Sequence, residues 1–538
     1  MTANSDSNKE THPQAGQVIV IGFDAADVDL ILEWAKDGIL PAFRSLLDRA
    51  AWGRVGNDTG NVAGTVWQNF HTGVWPGKHG HYEGVKHFDP ATYEDGVYFT
   101  DRSQLPVETI WESVSGDGKR VAILDAPHVF LSQKLNGVQL NGWGTHERGP
   151  LDIGRFDFVT EPALLRDEVL RTYGSDPMGV SESPCDSIKP RNAKELIDLR
   201  DPLIRQVEVK AQMAVDFLKR ERWSYFEADF FSAHCIGHQC WHFHDPSHPR
   251  YDHAIAEAVG DPIKDVYIAL DAGLSKVLNA AGEDATVIVY LSHGMGPNYT
   301  ATGGTLDRIL RRLDNVESPE RTERLLRMAR NLWRSAPGPI RKLLIPLQAR
   351  RFEASVQRRI QPARATRKFF EMHLNGATGG VRINLKGREA NGIVEPGAEY
   401  EAVCAQLTRD LMDVKNVDTG RPLVAVVRRA SDLYEGPYFD RMPDLLVEWN
   451  RDGPISRVNS PKIGLVEDPI PNMRTGDHRP DGWFAALAPG IVPGEVEHTV
   501  AVVDFAPTIA TLLQVKGIDY DGNPIRELIP RVPIPVTP

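Results

Sequence analysis

The run Val18-Ile-Val-Ile-Gly-Phe23, closed by Asp24, is apolar throughout rather than alternating. A strand of that kind is stable only when both of its faces are covered, as in the parallel sheet of an α/β protein. A helix is expected directly after it, because Val28, Leu30, Ile31 and Trp34 recur at helical spacing and Gly38 supplies a stop. Similar runs recur at Val121–Leu124, Tyr225–Phe231, Thr286–Leu291 and Trp483–Leu487, with helical patterns between them. The expected class is α/β with a mostly parallel central sheet.

In such sheets ligands bind beyond the carboxyl ends of the strands, so the residues just after each run carry the argument. Asp24 follows the first run, Ser292-His293-Gly294 follows Thr286–Leu291, and SAHCIGHQCWHFHDPSHP (232–249) follows Tyr225–Phe231. That last stretch holds five of the chain's 17 histidines. His234 and His238 are four apart, so on a helix both rings leave one face a turn apart, which is a metal-ligand spacing. His242, His244 and His248 fit that face less well and read as bystanders. Asp24 alone could equally be a helix N-cap. His293 and His478 are weak signals singly, each beside glycines that permit a close approach to the backbone.

Composition removes several function classes. A formal net charge of -12 disfavours nucleic acid as a partner, because a phosphate backbone selects cationic surfaces. Four cysteines without a CxxC pair make neither a disulfide scaffold nor a zinc knuckle, and they fit a reducing, cytoplasmic setting. No transmembrane run is present. Residues 1–16 read as a flexible polar leader without a signal-peptide pattern, and the Pro-rich 529–538 as an extended tail. Between Gly304 and Lys368 the chain carries 17 Lys+Arg against 6 Asp+Glu. Residues 304–370 are therefore expected to form an Arg-rich helical insertion between 17–303 and 371–528 of one catalytic domain. Its basic surface is a solvated helical face, or else a cap that steers an anionic substrate or meets an acidic partner.

One longer stretch makes the pattern specific. NVAGTVWQNFHTGVWPGKHG (61–80), read with GFDAAD, LSHGMG, MPDLLVEWN, TGDHRPDGW and the closing VVDFAPTIATLL in this order, resembles the alkaline phosphatase superfamily in its type I phosphodiesterase and nucleotide pyrophosphatase branch. The resemblance implies an alkaline-phosphatase-like three-layer sandwich and a site for two metal ions, usually zinc. It also implies a Thr or Ser that attacks phosphorus to give a covalent phospho-enzyme. Asp24, His238, His293 and His478 match family metal ligands.

Four positions depart from the family. His234 and Ser292 stand where it has aspartates, and the nucleophile position falls on Ala63, with Thr65 the nearest hydroxyl. The Asn that often follows the HG pair is also replaced, by Gly84. With Asp24 the one carboxylate left, a neutral His234/His238/His478 zinc site is expected to bind tightly, and a second site at Asp24 and His293, helped by Thr65 or Ser292, more weakly. The expected function is metal-dependent hydrolysis of a small phosphate ester, phosphodiesterase or nucleotide pyrophosphatase in type, with one or two ions. Thr65, or a metal-activated water, is the nucleophile. The alternatives are a non-hydrolytic metal- or ligand-binding protein and a phosphoryl-group transferase. A sulfatase is disfavoured, since no cysteine lies in a C-x-P-x-R sequence.

Overall fold

The computed structural model describes residues 16–530, apart from 58–63, 84–85, 99–106, 133, 146–157, 180–184, 186–190, 302–303, 317–362, 375–376, 468–473 and 517–518. The leader, most of the tail, Ala63, Gly84 and most of the Arg-rich segment thus lie outside the described residues.

The anticipated runs form strands of one ten-stranded sheet. Its main members are β1 (Val18–Phe23), β2 (Ala51–Gly56), β3 (Val121–Leu124), β4 (Gly137–Asn141), β5 (Val159–Glu161), β6 (Tyr225–Phe230), β7 (Thr286–Leu291) and β10 (Gly482–Leu487), while β8 (Gly294–Pro297) and β9 (Gly476–Arg479) pair antiparallel as a separate two-stranded sheet. The order is Gly494–Glu495, β2, β10, β7, β1, β6, β3, β4, β5, with Val500–Ala501 also on β2. From β7 to β4 every pairing is parallel, whereas β10 and β5 run antiparallel to their neighbours.

Two apolar layers sandwich this sheet, and β1 shows why. Ile19, Ile21 and Phe23 enter a cluster with residues of α1 (Val28–Lys36), α3 (Ala193–Arg220), α4 (Ser232–His244) and α5 (Pro262–Ala281). Val18 and Val20 enter the opposite cluster, with Trp67 and Phe70 of α2 (Val66–Thr72) and Phe505 and Ile509 of α8 (Phe505–Leu513). A strand buried on both faces needs apolar residues at every position, which the sequence supplies. The fold is the three-layer sandwich that the resemblance implied. Among the described residues no helix is long and apolar enough to cross a membrane.

The expected boundary at 370 falls inside a strand (Phe369–Met372) of a second, four-stranded antiparallel sheet. Its other strands are Thr378–Ile383, Val424–Arg429 and Leu445–Trp449. α6 (Thr305–Leu313) and α7 (Ala398–Met412) share a core with it, through Leu306, Ile309 and Leu310 on one side and Leu407 and Leu411 on the other. The described start of the Arg-rich segment is therefore no separate helical lobe. Its apolar stripe has a sheet to cover, and its arginines line the opposite face.

The main core also contains one ion pair. Lys210 of α3 reaches Asp125, just after β3, at 2.7 Å, and both side chains are at most 1% exposed. Asp125 further accepts from the backbone N–H groups of Trp143 and Gly144 at 2.8 and 2.9 Å. Replacing Lys210 by Met strands this carboxylate away from water. We expect a loss of about 3–5 kcal/mol of stability, measured by urea unfolding of the full chain.

Candidate metal centre

Because β7, β1 and β6 are neighbours, their carboxyl ends deliver Ser292 and His293, Asp24, and α4 to one place. The fourth contribution comes from β9, paired antiparallel to β8 with His478 opposite Met295. All five expected metal residues are buried there. α4 presents His234 and His238 on one face with ring centroids 4.5 Å apart, as the four-residue spacing implied. His478 Nε2 lies 2.9 Å from His234 Nε2 and 3.1 Å from His238 Nε2.

The outer ring nitrogens explain how His238, His234 and His293 are held. His238 Nδ1 lies 2.8 Å from the carbonyl oxygen of Gly476. Only an N–H can make that bond, so Nε2 keeps its lone pair. Cys185 directs its thiol at Cys235 Sγ, 3.3 Å away, so the 3.1 Å contact of His234 Nδ1 with Cys185 Sγ is an N–H donated to sulfur. Ser292 Oγ donates to Asp24 Oδ1 at 3.1 Å and therefore accepts from His293 Nδ1 at 2.9 Å. His238 and His234 thus spend their outer N–H on a protein partner and turn Nε2 toward that of His478, the arrangement found in metal-bound histidine. Two imidazole nitrogens about 3 Å apart hold either a shared proton or a cation between them. Ligands of a tetrahedral zinc ion at 2.0–2.1 Å stand about 3.3 Å apart, so the donor set fits with an opening of a few tenths of an ångström.

Asp24 borders this group, 3.9 Å from both His234 Nε2 and His293 Nδ1. Trp67 Nε1 donates to Asp24 Oδ1 at 2.8 Å, which ties the carboxylate to α2. Thr65 is the N-cap position of that helix, fully buried, with Asn69 Nδ2 donating to its hydroxyl oxygen at 3.4 Å. Asn69 is itself held by Asn57 at 3.0 Å and His79 at 2.8 Å.

The other histidines of the cluster have other partners. His242 meets the Thr475 hydroxyl at 2.9 Å, and burial pushes its pKa down to about 3. His244 is bonded to Asp261, which raises its pKa, and His248 stacks on Tyr299.

Several members of the site escaped sequence reasoning. Cys185 and Trp67 act only as partners of a ligand, and no spacing rule announces such a role. Arg474 approaches His238 Nε2 at 3.4 Å and brings a positive charge to the site. Asp477, beside His478 in the motif, is bonded by Thr300 at 2.9 Å, and burial raises its pKa.

The type I phosphodiesterase/nucleotide pyrophosphatase family model matches residues 18–462. Phosphonoacetate hydrolase from Sinorhizobium meliloti 1021, solved in complex with phosphonoformate, has a similar fold, with a TM-score of 0.50 at 13% identity over 93% of this chain and 96% of that one. Murine ectonucleotide pyrophosphatase/phosphodiesterase 5, an inactive form in complex with AMP, follows at 0.49 and 10%, over 94% and 97%. No curated protein matches in sequence. With 18–462 matched, a parallel sheet of this order and ligating groups gathered at its strand ends, the chain belongs to the type I phosphodiesterase/nucleotide pyrophosphatase family of the alkaline phosphatase superfamily, a family of phosphoester hydrolases.

Proposed function

We propose that the protein hydrolyses a small phosphate ester with zinc held by His234, His238 and His478, and with Thr65 as the attacking group. The observation that carries this reading is the convergence of three Nε2 atoms, two of them on rings whose outer nitrogens are already bonded to Gly476 and Cys185. Asp24 and His293 form a second, weaker position, with a single carboxylate where the family pattern has three. Zinc in such a site supplies Lewis-acid polarisation of the phosphoryl group.

The chain's own residues do the rest. Asn69 donates to Thr65 Oγ1 and so favours its ionised form. Oγ1 attacks phosphorus, a P–O bond forms to Thr65, and the bond to the leaving oxygen breaks as that oxygen takes up a proton. Water then cleaves the Thr65 phosphoester and frees the hydroxyl. Arg474 is placed to pair with a phosphate oxygen during both steps. The four cysteines are free and buried, which fits a reducing compartment such as the cytoplasm.

Metal analysis of the purified full chain, with turnover of a chromogenic phosphodiester, tests the assignment. His238→Ala should lose one equivalent of zinc and its activity together. Thr65→Ala should keep zinc yet lose about a thousandfold or more in turnover, while Thr65→Ser retains part of it. Turnover at the wild-type rate in Thr65→Ala would move the attack to water. Stripping the metal with a chelator should lower the unfolding temperature, since a cation bound to the folded chain stabilises it. Scanning fluorimetry before and after zinc is restored measures that shift.

A further inference from the structure

A second set of ligating groups lies within the sandwich, between β6 and α2. Tyr225, Glu227 and Asp229 alternate along β6 with Phe226, Ala228 and Phe230, whose side chains fill the opposite layer. Glu227 and Asp229 are 0% exposed, and His71 of α2 faces them. His71 Nε2 lies 2.7 Å from Glu227 Oε1, and the Tyr225 hydroxyl donates to Glu227 Oε2 at 2.5 Å. Asp229 is different, because neither of its oxygens accepts an N–H or O–H of the described residues. The group nearest to it in charge is the Glu227 carboxyl. One atom each of His71, Glu227 and Asp229 lies within 4.8 Å of the other two. The space is built by a missing side chain, since a Cβ on Gly22 would stand 1.8 Å from Asp229 Oδ1.

Two carboxyl groups sealed from water require positive charge beside them. Lys210 is already paired with Asp125, and His71 can contribute one charge at most. Protons are one solution, because burial and then Glu227 push the Asp229 carboxyl well above its usual range. A divalent ion is the other, and it neutralises both carboxylates at once. His71 favours the ion. Its Nδ1 has no partner among the described residues, and the residue borders a cavity of about 40 Å³ together with Gln68, Thr72 and His79. A cavity of that size admits water, and water is a common partner for the outer N–H of a metal-bound histidine.

We propose that a divalent first-row transition cation binds between His71, Glu227 and Asp229, at a site distinct from the three-histidine centre. One imidazole and two carboxylates suit manganese, iron or zinc. The ion joins β6 to α2, the helix that carries Thr65 at its start and holds Asp24 through Trp67. It is a structural site, closed to substrate, and it stands independently of the assignment of Thr65.

Crystals of the full chain grown with Mn2+, and separately with Zn2+, test the proposal by anomalous scattering. The expected result is a peak bounded by His71 Nε2, Glu227 and Asp229. An empty map at that position with both metals overturns the proposal and assigns the charge to protons. In solution, folded His238→Ala protein equilibrated with Mn2+ and desalted should keep about one equivalent. Adding Glu227→Gln and Asp229→Asn, which preserve volume, should remove it. Retention of that equivalent by the triple variant, or its absence from His238→Ala alone, also overturns the assignment.

Discussion

The hydrogen-bonded ladder that sets β7, β1 and β6 side by side determines where Asp24, Ser292, His293 and the two histidines of α4 go. Phe23 is in register with both Leu291 and Phe230, so all three strands end level. Asp24 and Ser292 leave their strands at one height, and α4 begins two residues beyond β6. A slip of one residue in either pairing would move the side chains of an entire strand to the other face. The apolar layers on both sides make that slip costly. Precision at the metal centre is thus inherited from the core, and the polar residues themselves need only short side chains to meet.

Charge is the second constraint. Substitution of two aspartates by His234 and Ser292 makes the centre more neutral than the family pattern, yet neither residue is idle. His234 replaces a carboxylate oxygen with a nitrogen whose opposite side is tied to Cys185. Ser292 gives up coordination and fixes the proton position of His293 while bonding Asp24. Negative charge is instead concentrated within the sandwich, at Glu227 and Asp229. The same strand therefore carries carboxylates in its interior and histidines beyond its end.

Much of this was legible in the sequence because it follows from local pattern. Continuous apolar runs marked buried strands, and four-residue spacing marked His234 and His238 as a pair on one helix face. The family motifs added Asp24, His293 and His478, which local reasoning left ambiguous. What stayed hidden depends on contacts between distant segments. Cys185 carries no motif, and Trp67 looks like any core aromatic until its indole N–H finds Asp24. The carboxylates of β6 were absorbed into an apolar run, since Glu227 and Asp229 lie among aromatic neighbours. The strand at the lobe boundary, Phe369–Met372, was hidden for a related reason. Basic composition describes the exposed face of α6, while its placement is decided by the apolar stripe that the second sheet covers.

The bond from His238 Nδ1 to the Gly476 carbonyl, with the return bond from Thr475 N–H to the His238 carbonyl at 2.8 Å, has a bearing on how the molecule is made. His234 and His478 are separated by 244 residues. During synthesis the ribosome must pass the second sheet and reach β9 before the third imidazole exists to meet the other two. Until then α4 exposes a histidine pair with no closing ligand, open to any passing ion. Completion of the histidine triad is accordingly a late event in the birth of the chain, and it joins segments whose residues also meet in the shared main core, as Ile19 and Trp483 do.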